Sequence, residues 1–547
     1  MRKQKTKYIF VLGGVMSGIG KGIATSSIGK IIQSKGYKVT VMKIDPYVNV
    51  DAGTMNPTEH GEVFVLESGL ETDQDMGNYE RFLNVTLPPE NYMTTGSVYQ
   101  TVIAKERNLE YKGKCVQIIP HVTNEIIERI KRAGKRTKAD VVIIELGGTT
   151  GDYENQLFTE AARQMNLKCP EDTLFVMLSF IPYPKKIGEM KTKPTQQAVR
   201  LLNSAGVQPD IIIARSEQKI DDKRKEKIAL FCNVEPEAVI SAPDVESIYE
   251  VPLNFEKDGF GDVLLKKLKL PNKSRTNFNG WSKFVDKVHK AKRKIKIGVV
   301  GKYFNTGACV LSDSYISVIE AIKHASYNND VIPVIDWIDA ELFEKDKRNV
   351  EILKQYDGII VPGGFGSRGI EGIITSIQFA RENKIPYLGL CYGMQLMVIE
   401  FARNVVGLKN AHTTEIKPRA RYKVIDLMEK QKANLKQGIY GATMRLGAYP
   451  CIIKPDTIAF NAYKQKKISE RHRHRYEVNN KYIKKLEKKG LIFSGTSPDG
   501  QLMEIAELPK SKHPFMLGSQ FHPEFTSSPL HPNPLFNEFI KAVKKQK

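Results

Sequence analysis

Two short motifs in the second half of the sequence hold a cysteine, a histidine and a glutamate that together can do acyl-transfer chemistry. Cys391 stands in Gly389-Leu-Cys-Tyr-Gly393, a G-x-C-x-G pattern that follows an apolar run and precedes a helical one. Small residues on both sides permit the strained strand–turn–helix elbow that pushes a sulfur outward, and a helix N-terminus beneath it favours the thiolate. A thiolate needs a base. His522 lies two residues before Glu524 in Gln520-Phe-His-Pro-Glu524, so the carboxylate can orient the imidazole. Gly363-Gly-Phe-Gly366, after the strand-like run 358–361, offers backbone N–H groups to a developing oxyanion. Cys391, His522 and Glu524 are therefore the expected catalytic residues, whereas His324, His412 and His531 read as structural or surface groups.

The first half carries a different signal. Gly13-Gly-Val-Met-Ser-Gly-Ile-Gly-Lys-Gly22 follows the apolar run 8–12 and opens a helix in which Ala24, Ile28, Ile31 and Ile32 share one face. Glycines let a backbone approach phosphate closely, the N–H groups of a helix start face an anion, and Lys21 adds a point charge. The strict phosphate-loop pattern is broken twice, since Val15 replaces the first glycine and Gly22 replaces the hydroxyl that holds a metal. Metal ligands must then come from elsewhere. Asp75, in Glu71-Thr-Asp-Gln-Asp-Met-Gly77, and Glu145, at the end of the run 141–146, are the hard oxygen donors that Mg²⁺ prefers. Taken alone, Asp75 reads as an ordinary loop carboxylate, and the glycine turn as an anion site or a tight strand–helix corner.

These residues need rigid elements beneath them. Buried-strand runs at 8–12, 38–42, 141–146, 173–179, 211–214, 295–300, 358–361 and 386–390 alternate with helical patterns, which predicts two α/β domains, each a mostly parallel sheet flanked by helices. The polar stretch after Leu270 and the basic run Lys290-Ala-Lys-Arg-Lys-Ile-Lys296 divide the chain into a domain at 1–270, a linker at 271–295 and a domain at 296–547. A chain of 547 residues with 41% hydrophobic and 26% charged residues fits a soluble globular protein. The 83 Lys and Arg against 61 Asp and Glu leave +22, a field that attracts anions of any kind. Six cysteines without a CxxC pair read as reduced thiols of a cytoplasmic protein. The basic N-terminus followed by an apolar run imitates a signal peptide, but Gly13-Gly14 and the glycine turn make it a buried strand. The next longest apolar stretch, 173–182, is far too short to span a bilayer.

Five blocks raise the first-half signals together: Gly13 to Gly22, Lys43-Ile-Asp-Pro-Tyr-Val-Asn-Val-Asp51, His60-Gly-Glu-Val-Phe-Val65, Glu145-Leu-Gly-Gly-Thr-Thr-Gly-Asp152 and Gly188-Glu-Met-Lys-Thr-Lys-Pro-Thr-Gln196. They resemble the CTP synthase family, collinearly from the first strand almost to the C-terminus. The second half likewise resembles class I glutamine amidotransferases. Lys191, Lys193 and Gln196 weigh most, because such a set has no simple role in an apolar core. The resemblance implies an N-terminal amidoligase domain of phosphate-loop type and a C-terminal glutaminase. ATP would phosphorylate UTP at C4, and ammonia from glutamine would displace the phosphate to give CTP.

The resemblance also implies site residues. Ser17, Gly18, Ile19, Gly20, Lys21, Gly22 and Ile23, with Lys43 and Asp75, would hold ATP, and Asp244 and Val245 would touch its adenine. Asp75 and Glu145 would bind Mg²⁺. Ser17, Asp152, Tyr153, Glu154, Lys191, Thr192, Lys193, Pro194, Thr195, Gln196 and Lys227 would contact UTP as substrate or CTP as feedback inhibitor. Glutamine would meet Gly364, Tyr392, Gly393, Met394, Gln395, Glu415 and Arg475; Tyr392 stands where the family more often has Leu. Arg368-Gly-Ile-Glu371 would help bind GTP, the expected activator, and the assembly would be a homotetramer with pyrimidine sites shared between subunits. The segment from Tyr303 to Asp313 is longer than the family's usual connection, and Cys309 within it reads as an incidental thiol.

Other readings explain less. Another amidoligase fused to a glutaminase shares the elbow and the altered phosphate loop but lacks Lys191-Thr-Lys-Pro-Thr-Gln196. A nucleic-acid-binding protein predicts an aromatic–basic platform or a binding module, and neither is present in the sequence. Neither a nucleic-acid partner nor a membrane is expected.

Overall fold

The computed structural model describes residues 5–186, 188–273, 278–302, 305–306, 309–310, 312–428, 431 and 441–546. Residues 303, 304, 307, 308 and 311 of the long connection and the Cys309 side chain lie outside them, as do residues 274–277. The chain forms two compact units, one of residues 1–52 and 75–285, the other of residues 53–74 and 286–547.

The first unit is built on a seven-stranded parallel sheet in the order Tyr92–Thr94, Val39–Asp45, Val141–Leu146, Lys7–Gly13, Thr173–Phe180, Ile211–Ser216 and Val239–Pro243. Val141, Val142, Ile143 and Ile144 are all fully buried. That is why the strand reads as a continuous apolar run: helices cover both faces of a parallel sheet. The carboxyl ends of Lys7–Gly13, Val39–Asp45 and Val141–Leu146 deliver the glycine turn, Lys43 and Glu145 to one edge, where open α/β sheets bind ligands.

The second unit holds a nine-stranded sheet. Its parallel part runs Val331–Asp339, Arg293–Gly301, Gly358–Val361, Tyr387–Leu390 and Met516–Ser519, and an antiparallel extension continues through Met503–Glu507, Ile492–Thr496, Arg445–Ile453 and Lys467–His474. Of the parallel strands, Arg293–Gly301, Gly358–Val361 and Tyr387–Leu390 match apolar runs read in the sequence, and Val331–Asp339 and Met516–Ser519 do not. The antiparallel ones did not stand out, because Lys467–His474 reads as charged although Glu470, Arg471 and His472 are buried.

The structure draws the domains differently from the sequence. Residues 53–74 fall in the second unit, where Val63–Val65 and Glu71–Asp73 form a hairpin. Arg471 donates to the Val65 carbonyl at 3.1 Å, and Phe64 packs edge-on against Phe525 with ring centres 5.1 Å apart. The expected linker is largely ordered. Asn279–Lys290 is a helix whose Trp281 is buried beside Phe82 and donates to the Tyr249 carbonyl at 2.7 Å, and Arg293–Gly301 is already a sheet strand. Among the described residues no helix is long and apolar enough to cross a membrane. The cysteines with described side chains, Cys115, Cys169, Cys232, Cys391 and Cys451, are free thiols.

Candidate active sites

In the second unit, Tyr387–Leu390 ends at Cys391, which holds φ 50° and ψ −95° immediately before the helix Tyr392–Asn404. That backbone state costs about 1–3 kcal/mol, and the surroundings impose it. A Cβ on Gly393 would stand 2.3 Å from the Val361 carbonyl oxygen, and one on Gly389 2.7 Å from the Gly393 carbonyl carbon. The glycines of the pattern are therefore steric requirements. Met394, Met397, Val398 and Phe401 bury the inner face of the helix, each worth about 1.5–3 kcal/mol, so the elbow is anchored by packing. The Sγ of Cys391 has the Arg473 carbonyl oxygen at 3.8 Å and the Gln520 amide at 3.5 Å.

His522 meets Glu524 through Nδ1 and Oε1 at 2.7 Å. Burial would lower the imidazole pKa, but the Glu524 carboxylate and Cys391 outweigh it and push it up to about 10. His522 thus holds a proton beside the sulfur at neutral pH. Gly363 lies against the ring, for a Cβ there would be 2.8 Å from its Cε1.

A cavity of about 550 Å³ opens onto this pair. Gly364, Tyr392, Gln395, Glu415 and Arg475, all expected at the glutamine site, line it, as do Cys391, His522 and Glu524. Gly393 and Met394 are not among its lining residues: Met394 is fully buried, packed against Gly518. Burial raises the Glu415 pKa against the Gly366 N–H bond and Lys302, and the Gly366 N–H donates to Glu415 at 2.9 Å. Arg475 donates to Gln431 and Thr443 at 2.8 and 2.7 Å.

The sequence reading missed part of this wall. Gly53, Thr54, Met55, Pro57, Glu62 and Val63 line the cavity from the segment assigned to the other domain. Arg473 donates to Glu71 at 2.8 Å, with Glu71 almost fully buried. Of the residues proposed for GTP, Arg368 pairs with Glu341, and Glu371 pairs with Arg403 at 2.7 Å. His324 is fully buried with Nδ1 3.1 Å from the Ser527 hydroxyl, His412 is buried, and His531 is exposed.

In the first unit, Gly18 and Gly20 take φ of 70° and 90° before the helix Lys21–Ser34, as the anion-binding turn requires. Lys21 donates to the Gly148 carbonyl, and burial lowers its pKa. Gly22 explains its own departure from the phosphate-loop pattern: a Cβ there would stand 2.0 Å from Asp75 Oδ1. The carboxylate of Asp75 occupies the place that a hydroxyl side chain would take. Lys43 bonds to Asp75, reaches Glu145 at 3.2 Å and lies 3.6 Å from Asp45. Tyr79 donates to the other Glu145 oxygen at 2.5 Å. Burial raises the Glu145 pKa, whereas Lys43 holds that of Asp75 down despite burial. Asp45, inside the block Lys43 to Asp51, and Tyr79 were not among the expected site residues.

The nucleotide residues separate into groups. Ser17, Gly18, Ile19, Gly20, Ile23 and Val245 line one cavity of about 360 Å³, with Arg215; Asp244 pairs with Arg215 at 2.5 Å. Asp152, Tyr153 and Glu154 line a different cavity, of about 830 Å³. Lys191, Lys193 and Lys227 are not among the lining residues of either. Thr192, Thr195 and Gln196 are buried, Gln196 donating to Thr192 at 3.1 Å and Thr195 meeting Ser179 at 2.9 Å. Gln196 is thus also bonded locally, at the start of its own helix. Pro194 starts the helix Lys193–Ser204, where its missing N–H costs nothing.

Comparison with known proteins agrees in both halves. The family described as "CTP synthase N-terminus" matches residues 7–270, and "Glutamine amidotransferase class-I" matches residues 310–542. A CTP synthase of Thermococcus gammatolerans is 52% identical over 544 residues, covering 99% of both chains. One of Pyrococcus furiosus is 52% identical over 544 residues, covering 99% of this chain and 98% of that one. One of Shouchella clausii is 50% identical over 536 residues, covering 98% of each. A solved glutaminase domain of Trypanosoma brucei CTPS with bound acivicin is 37% identical, covers 46% of this chain and 94% of that chain, and has a TM-score of 0.42.

Proposed function

This chain belongs to the CTP synthase family, and from that premise we infer how its residues divide the work. It is a ligase that aminates UTP to CTP with nitrogen from glutamine. The observation that carries the assignment of residues is one cavity that holds Cys391 at a strained elbow, His522 bonded to Glu524, and the polar groups of Gly364, Gln395, Glu415 and Arg475.

Cys391 Sγ attacks the glutamine amide carbon, and the oxyanion is met by N–H groups of the glycine loop at Gly363 and Gly364. His522 gives its proton to the departing ammonia; a water, deprotonated by the imidazole, then cleaves the thioester to glutamate. Glu524 keeps the ring oriented throughout. Gln395, Glu415 and Arg475 bind the substrate, with the backbone at Tyr392, Gly393 and Met394 beside the nucleophile.

In the other unit, the turn from Ser17 to Ile23 with Lys21 and Lys43 binds ATP. The γ-phosphoryl group passes to O4 of UTP, which makes that oxygen a leaving group, and ammonia displaces phosphate to give CTP. Asp75 and Glu145 share one lysine ammonium and offer hard oxygen donors, a set that fits Mg²⁺ completed by phosphates and water. A metal held there would neutralise charge on the transferred phosphoryl group. Asp152 to Glu154 and the block Lys191 to Gln196 with Lys227 form the pyrimidine site across a subunit boundary. The cavity at Asp152 to Glu154 has none of Lys191, Lys193 and Lys227 in its wall, which supports this, as does the exposed apolar set Val48, Ile103, Leu109, Ile118, Ile119 and Tyr153. The working unit is then a cytoplasmic homotetramer, inhibited by CTP and activated by GTP.

Cys391→Ala tests the division of labour. CTP formation is expected from ammonia but not from glutamine; a variant that still uses glutamine would remove Cys391 from its role.

A further inference from the structure

The glycine loop that faces the oxyanion has little intrinsic order, because each glycine fixed in place costs about 1–2 kcal/mol of backbone entropy. Something must hold it. Gly366, at φ 81°, is bonded through both its N–H and its carbonyl oxygen. Its N–H donates to Glu415 at 2.9 Å. Its carbonyl oxygen accepts from the Lys302 ammonium at 2.6 Å and from the Tyr392 hydroxyl at 3.1 Å, which uses both lone pairs. The same ammonium lies 4.6 Å from the centre of the Tyr392 ring, a favourable cation–π contact. Lys302 directly follows the strand Arg293–Gly301, and both it and Tyr392 are buried.

We propose that Tyr392 and Lys302 are positioning residues that lock the 363–366 loop to the nucleophile through the Gly366 carbonyl. The argument is geometric. Tyr392 is the residue after Cys391 and the first of the helix beneath it, so its hydroxyl ties the oxyanion loop to the element that carries the sulfur. A leucine there would fill the ring's place without donating. A loop held this way before substrate arrives acts on the transition state more than on substrate binding, so it raises kcat rather than lowering KM. The two donors also differ with pH. Burial brings the Lys302 pKa down to about 8, against Glu415 and Glu344 and with Arg368 lowering it further. Above that pH the ammonium loses the charge that strengthens its bond, and the phenol remains.

The inference rests on Cys391 being the glutaminase nucleophile. Its test measures glutamine hydrolysis and ammonia-driven CTP formation by full-length wild type, Tyr392→Phe and Lys302→Met. Tyr392→Phe is expected to lower the kcat of hydrolysis about 2- to 10-fold, the range for one hydrogen bond, with KM for glutamine nearly unchanged. Its kcat should also fall as pH rises through about 8, a limb that the wild type lacks and Lys302→Met cannot show. Wild-type kcat and pH profile in Tyr392→Phe would overturn the proposal. So would a change in KM alone, or a loss shared by ammonia-driven CTP formation, which would mark the pair as merely structural. Hydrolysis equal in wild type and Cys391→Ala would sink the site assignment and the lock with it.

Discussion

The glutaminase centre and the amidoligase centre solve opposite problems. In the first, strain at Cys391, the His522–Glu524 bond and a cavity with its polar groups in place are all present within one unit of a single chain. In the second, the charged groups bond to one another: Lys43 joins Asp75 and Glu145, and Lys21 bonds to a backbone carbonyl. Covalent catalysis needs fixed distances between a nucleophile, a base and oxyanion donors, and packing supplies those before substrate arrives. Phosphoryl transfer is mostly charge neutralisation. Its lysines and carboxylates are bonded to one another, in the arrangement proposed above to receive a polyanion and a cation.

Breaking the contrast at the amidoligase centre should give the largest effect. Gly22→Ser restores the residue type of the strict phosphate-loop pattern, yet its Cβ would collide with Asp75. CTP formation from ammonia should fall about a hundredfold, the cost of a misplaced catalytic group, while glutamine hydrolysis persists. A gain in activity would show that Asp75 does not stand in for the hydroxyl. Next comes the hairpin that the second unit borrows from the N-terminal part of the sequence. Glu71→Gln weakens the buried pair with Arg473, whose carbonyl faces the Cys391 sulfur. Glutamine-driven turnover should drop about tenfold, and ammonia-driven turnover should not.

The smallest effect concerns stability. The folded pKa of His522 is raised to about 10 from an unfolded value near 6.5. A raised pKa contributes stability that is full below about pH 6.5 and is lost as pH rises through about 10. Glu524→Gln removes the main opposing charge, so the stability gap between wild type and variant should narrow as pH goes from 6 to 10. Denaturant titrations at several pH values read this directly, and a gap that widens with pH would contradict it.

Much of this was legible before the fold. The G-x-C-x-G elbow announces itself because steric demands at Gly389 and Gly393 leave few alternatives, and the strand at 141–146 does so because both its faces are covered. The hairpin at 63–73 was legible neither as a hairpin nor as part of the glutamine cavity. Its contacts lie some 400 residues away in sequence: Arg471 to Val65, and Arg473 to Glu71. The bond from Gln196 to Thr192, just before its own helix, was likewise not legible in the sequence.

By itself the sequence determined where the elbow, the His522–Glu524 pair and the glycine turn lie, because these are local patterns set by backbone sterics and side-chain type. It also determined those parallel strands, such as 141–146 and 173–179, whose burial on both faces leaves an uninterrupted apolar run. Tertiary structure alone decided which unit owns residues 53–74, that Asp75 fills the space beside Gly22, and that Tyr392 and Lys302 converge on one carbonyl. Those facts depend on distances between segments remote in the chain, and only packing sets such distances.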